Sequence, residues 1–230
     1  MQYKNYEKQD KHLVAVDCVI FGYKEPTLKL LIFKRNIEPE KGKWSLPGGW
    51  VKTDETLETA AQRVLKELTG LNDVYMEQVA GFSNPQRDPG SRVISMAFYA
   101  LVDFEKHNAR LLKKYDAEWA DMRDLPPLIF DHQSILYHAL RKLRHKASHD
   151  IIGRNLLPEQ FTLTQLRNLY NGIYEEDFDP GNFRKKVLAS GQLARTDYKD
   201  EQSSKKGAFY YTFKEKQPEK DRNNIKFTKR

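Results

Sequence analysis

The first half of the chain alternates between short apolar runs and one strongly amphipathic segment. Apolar runs at 13–21, 28–35, 74–82 and 92–102 have the length and residue types of strands, and the first two are joined by a short turn as in a hairpin. Between the second and third runs, apolar side chains recur at the i, i+3, i+4, i+7 and i+8 spacing of one helix face. Its apolar members are Leu57, Ala60, Ala61, Val64, Leu65 and Leu68. The pattern predicts a helix packed on a sheet, and we expect Gly70 to end that helix.

A second amphipathic segment closes this part of the chain. Asp131 is a suitable N-cap, and apolar residues from Ile135 to Leu143 then follow helical spacing. Strands grouped around one central helix and followed by a closing helix predict a sandwich of helix, sheet and helix. We assign this unit to residues 1–150.

Beyond residue 150 the pattern changes to two short helices. Thr162 followed by Gln165 has the form of a capping box at the start of a helix that runs to Ile173. Asp179 as cap and Pro180 at the first helical position begin the second helix, which Gly191 is expected to end. The predicted buried stripe of that helix is Phe183, Val187 and Leu188.

Two strand-like runs, 193–197 and 208–213, follow these helices and bracket a polar tip at 199–207. A helix-turn-helix followed by a hairpin is a winged helix, whose second helix enters the major groove of DNA. Residues 151–230 are therefore predicted to form a second, DNA-binding domain.

Composition agrees with a water-soluble chain. Of the 230 residues, 39% are hydrophobic and 31% are charged, which supports a core and a solvated surface. The sequence has no apolar run of the ~18 residues that a membrane helix needs, and no apolar region typical of a signal peptide. A single cysteine rules out an intramolecular disulfide. We expect a cytoplasmic protein without membrane contacts.

Positive charge is concentrated toward the C-terminus. Residues 1–150 hold 23 basic and 21 acidic side chains, net +2, whereas residues 151–230 hold 16 and 11, net +5. A basic C-terminal third is typical of a domain that contacts nucleic acid, and the alternative is a merely solvated basic surface.

Residues 49–71 resemble the Nudix box, the motif G-x5-E-x7-R-E-U-x-E-E-x-G-U in which U is aliphatic. The positions that match the motif are Gly49, Glu55, Arg63, Leu65, Glu67, Gly70 and Leu71. Val64 and Leu68 replace its two other glutamates.

These two replacements remove most of a metal site. The resemblance implies attack of water on a diphosphate assisted by Mg²⁺, a cation that takes oxygen ligands. Positions 64, 67 and 68 share one helix face, so Glu67 is the only carboxylate left there, with Arg63 one turn away. We therefore predict a binding protein rather than an enzyme, with no catalytic residue, metal ligand or cofactor. Glu67 is either a ligand contact or a surface partner of Arg63, and hydrolysis would survive only if acids elsewhere supplied the metal ligands.

A cleft above this helix is the predicted ligand site. Arginines there suit phosphates or sugar hydroxyls, and Trp50 suits the face of a sugar or a base. The loop at 83–91 either carries ligand groups or is an ordinary Asp-Pro-Gly turn. The predicted effector-binding residues are Arg35, Trp50, Glu67, Arg87, Asp88 and Arg92.

The second helix of the winged helix is the predicted recognition helix. Asn182 and Arg184 are expected to contact base edges, because their donors match adenine and guanine. The predicted phosphate contacts are Lys185, Lys186, Lys205 and Lys206. The alternative is a small structural domain with a solvated basic helix. A further basic group is interpreted as a solvated helix end or as contacts to flanking phosphates: Arg141, Lys142, Arg144 and Lys146.

A degenerate Nudix domain joined to a winged helix resembles the bacterial Nudix-related transcriptional regulators of the NrtR type. Segments at 44–46, 63–65, 74–79, 128–132 and 182–185 look closest to the arabinose-responsive branch of these regulators. The resemblance implies an α+β chain, with a Nudix α/β/α sandwich followed by a C-terminal winged helix-turn-helix. It also implies L-arabinose or ADP-ribose as the effector, and a homodimer on double-stranded, pseudo-palindromic operator DNA that the effector releases.

Two other functions remain open. One is an active Nudix hydrolase of ADP-ribose-like nucleotide diphosphates with an accessory nucleic-acid-binding domain, and the other is an RNA-binding adaptor that prefers single strands. Val64 and Leu68 argue against the hydrolase, and the helix-turn-helix with its wing favours duplex DNA over RNA. The effector, the target genes and the sign of regulation stay open.

Overall fold

The computed structural model describes residues 6–71, 74–104, 117–200 and 207–215. Within these ranges the chain forms a seven-stranded mixed sheet, a three-stranded antiparallel sheet and four helices. The first sheet contains β1 (Leu13–Lys24), β2 (Thr27–Lys34), β3 (Trp44–Ser45), β4 (Gly48–Trp50), β5 (Met76–Phe82), β6 (Val93–Val102) and β7 (Ala117–Asp121). Its helices are α1 (Leu57–Thr69) and α2 (His132–His149). The C-terminal part contains β8 (Phe161–Thr162), α3 (Leu163–Tyr174), α4 (Pro180–Ala189), β9 (Leu193–Asp200) and β10 (Ala208–Phe213).

The large sheet has β1 at its centre. Strands run in the order β3-β2-β1-β6-β5, with β4 paired to β1 and β7 paired to β2. The predicted β1–β2 hairpin is confirmed, and its last antiparallel pair is Lys24 with Thr27. The neighbouring strands β1 and β6 are parallel over ten residue pairs, from Leu13–Val93 to Gly22–Val102. The two short strands before α1 also join this sheet: β3 pairs with β2, and β4 pairs with β1 and so brings the start of the Nudix box onto the central strand.

Alternation along β1 places a hydrophobic core on each face of the sheet. Cys18 and Ile20 face α1 and pack in one core with Val64 and Leu65. Val19 and Phe21 face the opposite side and pack in a second core that includes residues of α2. The sheet is therefore covered by one helix on each side, which is the Nudix α/β/α sandwich predicted from the sequence.

The helix ends in this sandwich follow the sequence with one exception. Gly70 caps α1 with φ of 69°, as predicted for a glycine in the left-handed region. Asp131 holds the N-cap position of α2, but its side chain makes no cap hydrogen bond and binds Arg87 instead. The predicted N-cap residue is confirmed, but its carboxylate forms charge-assisted hydrogen bonds with the buried guanidinium in place of a bond to a backbone N–H group of the helix.

The C-terminal part is a winged helix. Thr162 and Gln165 form the predicted capping box of α3, and Asp179 caps α4 by accepting a hydrogen bond from the Asn182 backbone N–H at 2.9 Å. The predicted buried stripe of α4 is wrong at its end, since Phe183 and Val187 are buried whereas Leu188 is 37% exposed. Residue 188 lies ~100° around the helix from residue 187, so it leaves the narrow face by which this short helix packs.

The winged helix packs directly on the sandwich through α3. Gly172 lies against the β1–β2 turn, and the Asn168 amide donates to the Glu25 carboxylate at 2.6 Å. One apolar cluster runs from the sheet through α2 into the winged helix, so the boundary at residue 150 stays a prediction. Across the described ranges, no helix has both the length and the apolar character required to cross a bilayer.

Candidate effector cavity and DNA-binding face

A cavity of about 590 Å³ opens between the ends of β2 and β4 and the loops around them. Four of the predicted effector residues line it: Arg35, Trp50, Arg87 and Asp88. Glu67 and Arg92 do not, because Glu67 extends into solvent and pairs with Arg63, while Arg92 donates to the carbonyl of Val93. The volume lies in the range of ~300–1,000 Å³ that is common for small-molecule and cofactor sites.

A buried charged cluster forms the floor of the cavity. The Arg87 guanidinium donates to both Asp131 oxygens, at 2.9 and 2.7 Å, and to Asp17 Oδ2 at 3.1 Å. Ser95 Oγ donates to the same Asp17 oxygen at 2.6 Å. Burial alone would lower the pKa of Arg87, but the two carboxylates raise it on balance, so the side chain stays charged. Arg87 was predicted as an effector contact, yet its guanidinium is largely occupied by carboxylates of the chain itself.

His132 completes this floor at the first turn of α2. Its Nδ1 accepts a hydrogen bond from the Leu46 backbone N–H at 3.0 Å, so Nδ1 carries no proton and the ring proton resides on Nε2. Nε2 lies 3.6 Å from Asp17 Oδ1. Burial lowers the pKa of His132 despite the neighbouring carboxylates, and the ring is neutral at pH 7.

The mouth of the cavity carries cations and aromatic rings. The Arg35 guanidinium lies 5.2 Å from the centre of the Phe130 ring, and its Nε donates to the carbonyls of Ile37 and Pro39. Within the described ranges no carboxylate pairs with Arg35 or Lys41. Trp50 is 46% exposed at the rim. The mouth therefore offers positive charge and a ring face to a ligand.

The two glutamates that remain from the Nudix motif, Glu55 and Glu67, both pair with Arg63. Arg63 forms two hydrogen bonds with Glu55, one to Glu67 at 3.1 Å and one to the Trp50 carbonyl at 2.8 Å. The hydrogen bonding of Arg63 to Glu55, followed by the hydrogen bond from the Lys52 backbone N–H, lowers the pKa of Glu55 to about 2. Arg63 thus ties the loop before α1 to the helix.

A magnesium site is implied by the Nudix resemblance, but these residues do not fit one. Val64 is buried against Gly49, and Leu68 lines the cavity where a carboxylate would be needed. No cluster of three or more His, Cys, Asp or Glu side chains suited to a metal occurs in the part of the chain that the structure describes. A cation that requires several oxygen ligands has too few here.

The recognition helix α4 exposes most of its predicted DNA contacts. Asn182, Arg184 and Lys185 are exposed, and Lys186 is half-buried. Lys205 and Lys206 lie outside the described residues. The basic group at the end of α2 is mostly engaged elsewhere, since Lys142 donates to the Gln78 carbonyl and Arg144 binds the winged helix.

Sequence reasoning missed three residues of the cavity, Asp17, Phe130 and His132, which lie in a strand and at a helix start and carry no binding motif. The wing also brings together two basic side chains that the sequence did not single out. The charged groups of Arg195 and Lys199, both on β9, lie 4.5 and 4.7 Å from the centre of the Phe209 ring. Residues four apart on a strand are ~13 Å apart along it, so their spacing carried no signal of this shared contact.

An α/β/α sandwich with a ligand cavity, joined to a winged helix with a basic recognition helix, defines the class of Nudix-related transcription factors. The family model for the NUDIX domain matches residues 11–143, and the model for the NrtR DNA-binding winged helix domain matches residues 153–213. The chain belongs to the Nudix superfamily and, within it, to the NrtR-type transcriptional regulators.

Two regulators and one hydrolase are similar to this chain. The ADPR responsive transcriptional repressor NtrR of Acinetobacter baylyi is 33% identical over 198 residues, which cover 84% of this chain and 79% of the relative. The NrtR of Shewanella oneidensis in complex with a 27mer DNA superimposes with a TM-score of 0.79 at 29% identity, over 87% of this chain and 93% of that one. The isolated Nudix domain of that NrtR, complexed with ADP ribose, superimposes with a TM-score of 0.54 at 29% identity, over 62% of this chain and 99% of that one. An ADP-ribose pyrophosphatase of Methanocaldococcus jannaschii is 38% identical over 138 residues, 60% of this chain and 79% of the relative.

Proposed function

We propose that this chain is an ADP-ribose-responsive repressor that binds operator DNA as a homodimer. The Nudix cavity binds the effector, and effector binding lowers the affinity of the winged helix for DNA. The observation that carries the proposal is the state of the box helix, in which Glu55 and Glu67 pair with Arg63 while Val64 and Leu68 are apolar. Such a cavity favours retention of a diphosphate over its cleavage.

The cavity chemistry favours ADP-ribose over L-arabinose. Arg35 and Lys41 carry positive charge without a carboxylate partner in the described ranges. A diphosphate forms charge-assisted hydrogen bonds with such cations, which are about twice as strong as the neutral hydrogen bonds between uncharged groups. The exposed ring of Trp50 suits stacking on adenine, and Asp88 suits a ribose hydroxyl. Arg87 supports the floor beneath the ligand, whereas Glu67 and Arg92 belong to the outer surface.

The DNA side of the proposal rests on α4 and the wing. Arg184 and Asn182 contact bases, Lys185 and Lys186 contact phosphates, and Lys205 and Lys206 extend the phosphate contacts along the wing. Two copies of the chain place two recognition helices on half-sites about one helical turn apart. Light scattering at micromolar protein should give twice the mass of 27.0 kDa.

Fluorescence anisotropy with a selected duplex tests regulator and effector together. A duplex selected from a random library and its shuffled control are titrated with protein at 150 mM salt, with ADP-ribose, L-arabinose or neither. We expect tight binding of the selected duplex, weakened by ADP-ribose and unchanged by L-arabinose. Equal affinity for the selected and shuffled duplexes would refute the proposal that the protein is a sequence-specific regulator. Binding that is weakened by L-arabinose and not by ADP-ribose would show that L-arabinose is the effector.

A matched pair of variants locates the effector. Arg35→Gln should weaken ADP-ribose binding in calorimetry, whereas Lys66→Gln, which removes the same charge from the exposed side of α1, should not. Equal loss in both variants would show that ADP-ribose binds elsewhere.

Hydrolysis of ADP-ribose is the second candidate function, because the Nudix part is 38% identical to an ADP-ribose pyrophosphatase. It predicts release of AMP from ADP-ribose with Mg²⁺, and loss of that release in Glu67→Gln. Our proposal expects no turnover by the wild-type protein at any Mg²⁺ concentration, measured by chromatography of the nucleotide products.

A further inference from the structure

Helix α2 is the structural link between the effector cavity and the winged helix. Its first residue, His132, lines the cavity, and its N-cap residue Asp131 is held by Arg87 on the cavity floor. The helix then runs for 18 residues, about 27 Å at 1.5 Å per residue, to the winged helix. A packed α-helix is a rigid element that can carry a displacement of its first turn toward its far end.

The far end of α2 is hydrogen-bonded to α3 in both directions. Arg144 Nε donates to the Ile173 carbonyl at 2.7 Å, and the Tyr174 hydroxyl donates to the Arg144 carbonyl at 2.7 Å. The Ile173 carbonyl lies in the last turn of α3, where no backbone donor of the same helix is available, so the Arg144 cation is well placed there. The buried Tyr170 hydroxyl, 3.4 Å from the Ala147 carbonyl, adds a third contact.

The same face of α3 supports the recognition helix. The Tyr170 ring meets Phe183 of α4 edge-on, with 5.3 Å between ring centres. A change in the position of α2 is thus passed to α3 by hydrogen bonds and from α3 to α4 by a buried aromatic pair. The other contacts of α3 with the sandwich, Gly172 and Asn168 on the β1–β2 turn, lie at the opposite end of β2 from its cavity-lining residues Phe33 and Lys34.

We propose that α2 transmits effector binding to the DNA-binding face, with Arg87–Asp131 as its cavity contact and Arg144–Tyr174 as its output contact. The proposal rests on the proposed function, because it presumes that one ligand in the cavity and operator DNA affect each other. A diphosphate above the cavity floor perturbs the ion pair of Arg87 with Asp131 and displaces the start of α2. Arg87, Asp131, Arg144 and Tyr174 are positioning residues in this scheme and do not contact DNA.

The test measures the operator dissociation constant with and without saturating ADP-ribose in Tyr174→Phe. The ratio of the operator dissociation constant with ADP-ribose to that without it is expected between ~5 and ~150 for the wild type, the usual range of coupling between two sites. Phenylalanine keeps the ring contacts with Tyr170 and Phe178 and removes one hydrogen bond, so the ratio should fall roughly two- to twelvefold. ADP-ribose affinity of the protein without DNA should stay within about twofold of wild type. Because linkage is reciprocal, the effect of operator DNA on ADP-ribose affinity must shrink by the same factor.

Tyr137→Phe is the matched control, since Tyr137 lies on the exposed side of the same helix. Its ratio should equal that of the wild type. At the cavity end, Asp131→Asn should lower the ratio, whereas Asp124→Asn, at an exposed aspartate between β7 and α2 that does not line the cavity, should not.

The outcomes distinguish failure of the proposed function from failure of the proposed role of α2. A wild-type protein that ignores ADP-ribose or does not select DNA refutes the proposed function. A responsive wild type with an unchanged ratio in Tyr174→Phe overturns the role of α2. Loss of operator binding by Tyr174→Phe in the absence of ADP-ribose also overturns it, because the hydrogen bond would then merely support the winged helix.

Discussion

Val64 packs directly on Gly49, so closely that a Cβ at position 49 would lie 2.8 Å from Val64 Cγ2. Both residues belong to the Nudix box, and Val64 stands where the motif has a glutamate. The side chain that replaces this glutamate is 2% exposed and belongs to the core between α1 and the sheet. The box has therefore become a packing element that holds α1 against β4.

Restoring the two glutamates of the motif should affect stability unequally. Val64→Glu buries a carboxylate among apolar groups and should lower the free energy of unfolding by about 2 kcal/mol or more. Leu68→Glu places its charge at the wall of an open cavity and should cost less than about 1 kcal/mol. Urea unfolding at pH 7 measures both. Equal losses in the free energy of unfolding would mean that Val64 is no more tightly packed in the core than Leu68.

The ion pair between Glu55 and Arg63 should make the stability depend on acid. The pKa of Glu55 falls from 4.5 to about 2 on folding, chiefly through its hydrogen bond with Arg63. The stabilisation is therefore complete above pH ~4.5 and is lost as the pH falls toward 2. Urea unfolding from pH 6 to pH 2.5 should show a shallower acid loss in Glu55→Gln than in the wild type.

Glu58→Gln is the control for this titration, because Glu58 is an exposed acid in the first turn of α1, three residues beyond Glu55. An acid profile of Glu58→Gln that matches Glu55→Gln would remove Glu55 as the cause.

His132 should make the free energy of unfolding depend on pH a second time, at higher pH than Glu55 does. Burial lowers its pKa below 6.5, so protonation in the unfolded state destabilises the fold as the pH falls below 6.5. The loss reaches at most about 1.4 kcal/mol per pH unit until the folded-state pKa is passed. His132→Asn keeps an acceptor for the Leu46 N–H and removes the titration, so its stability should change less between pH 7.5 and pH 5.5. A wild-type stability that is flat across this range would contradict the neutral, buried ring.

Periodicity and caps predicted the architecture well, because each helix and strand here is specified by its own local sequence. The α1 stripe, the capping box at Thr162 and the cap at Asp179 all depend on residues within one turn of each other. The cavity floor could not be predicted in this way. Asp17 and Arg87 are 70 residues apart in sequence, and only the sheet brings them within 3.1 Å. The exposure of Leu188 was missed for a related reason, since the width of a buried stripe depends on what the helix packs against.

Arg184 and Lys185 should differ in how they contribute to DNA binding. If Arg184 contacts a base, Arg184→Ala should cost about 1–3 kcal/mol on the selected duplex and relax the preference at one base pair. If Lys185 contacts a phosphate, Lys185→Ala should weaken selected and shuffled duplexes alike and reduce the salt slope by about 1. Anisotropy titrations at several salt concentrations measure both quantities. A uniform effect of Arg184→Ala on both duplexes would make it a phosphate contact.

Gly172 of the winged helix packs against the backbone of the β1–β2 hairpin. A Cβ at this position would lie 2.9 Å from the Pro26 carbonyl oxygen and 3.4 Å from the Leu28 nitrogen, both in the backbone of the β1–β2 hairpin. Glycine-to-alanine replacement inside a helix ordinarily stabilises by about 0.5–1 kcal/mol. Here the clash is with backbone that cannot rotate away, so Gly172→Ala should lower the melting temperature. Gly181→Ala is the control, because its Cβ would meet only the Asp179 carboxylate at 3.4 Å. A Gly172→Ala protein as stable as the wild type would mean that α3 is held on the hairpin less tightly than these distances require.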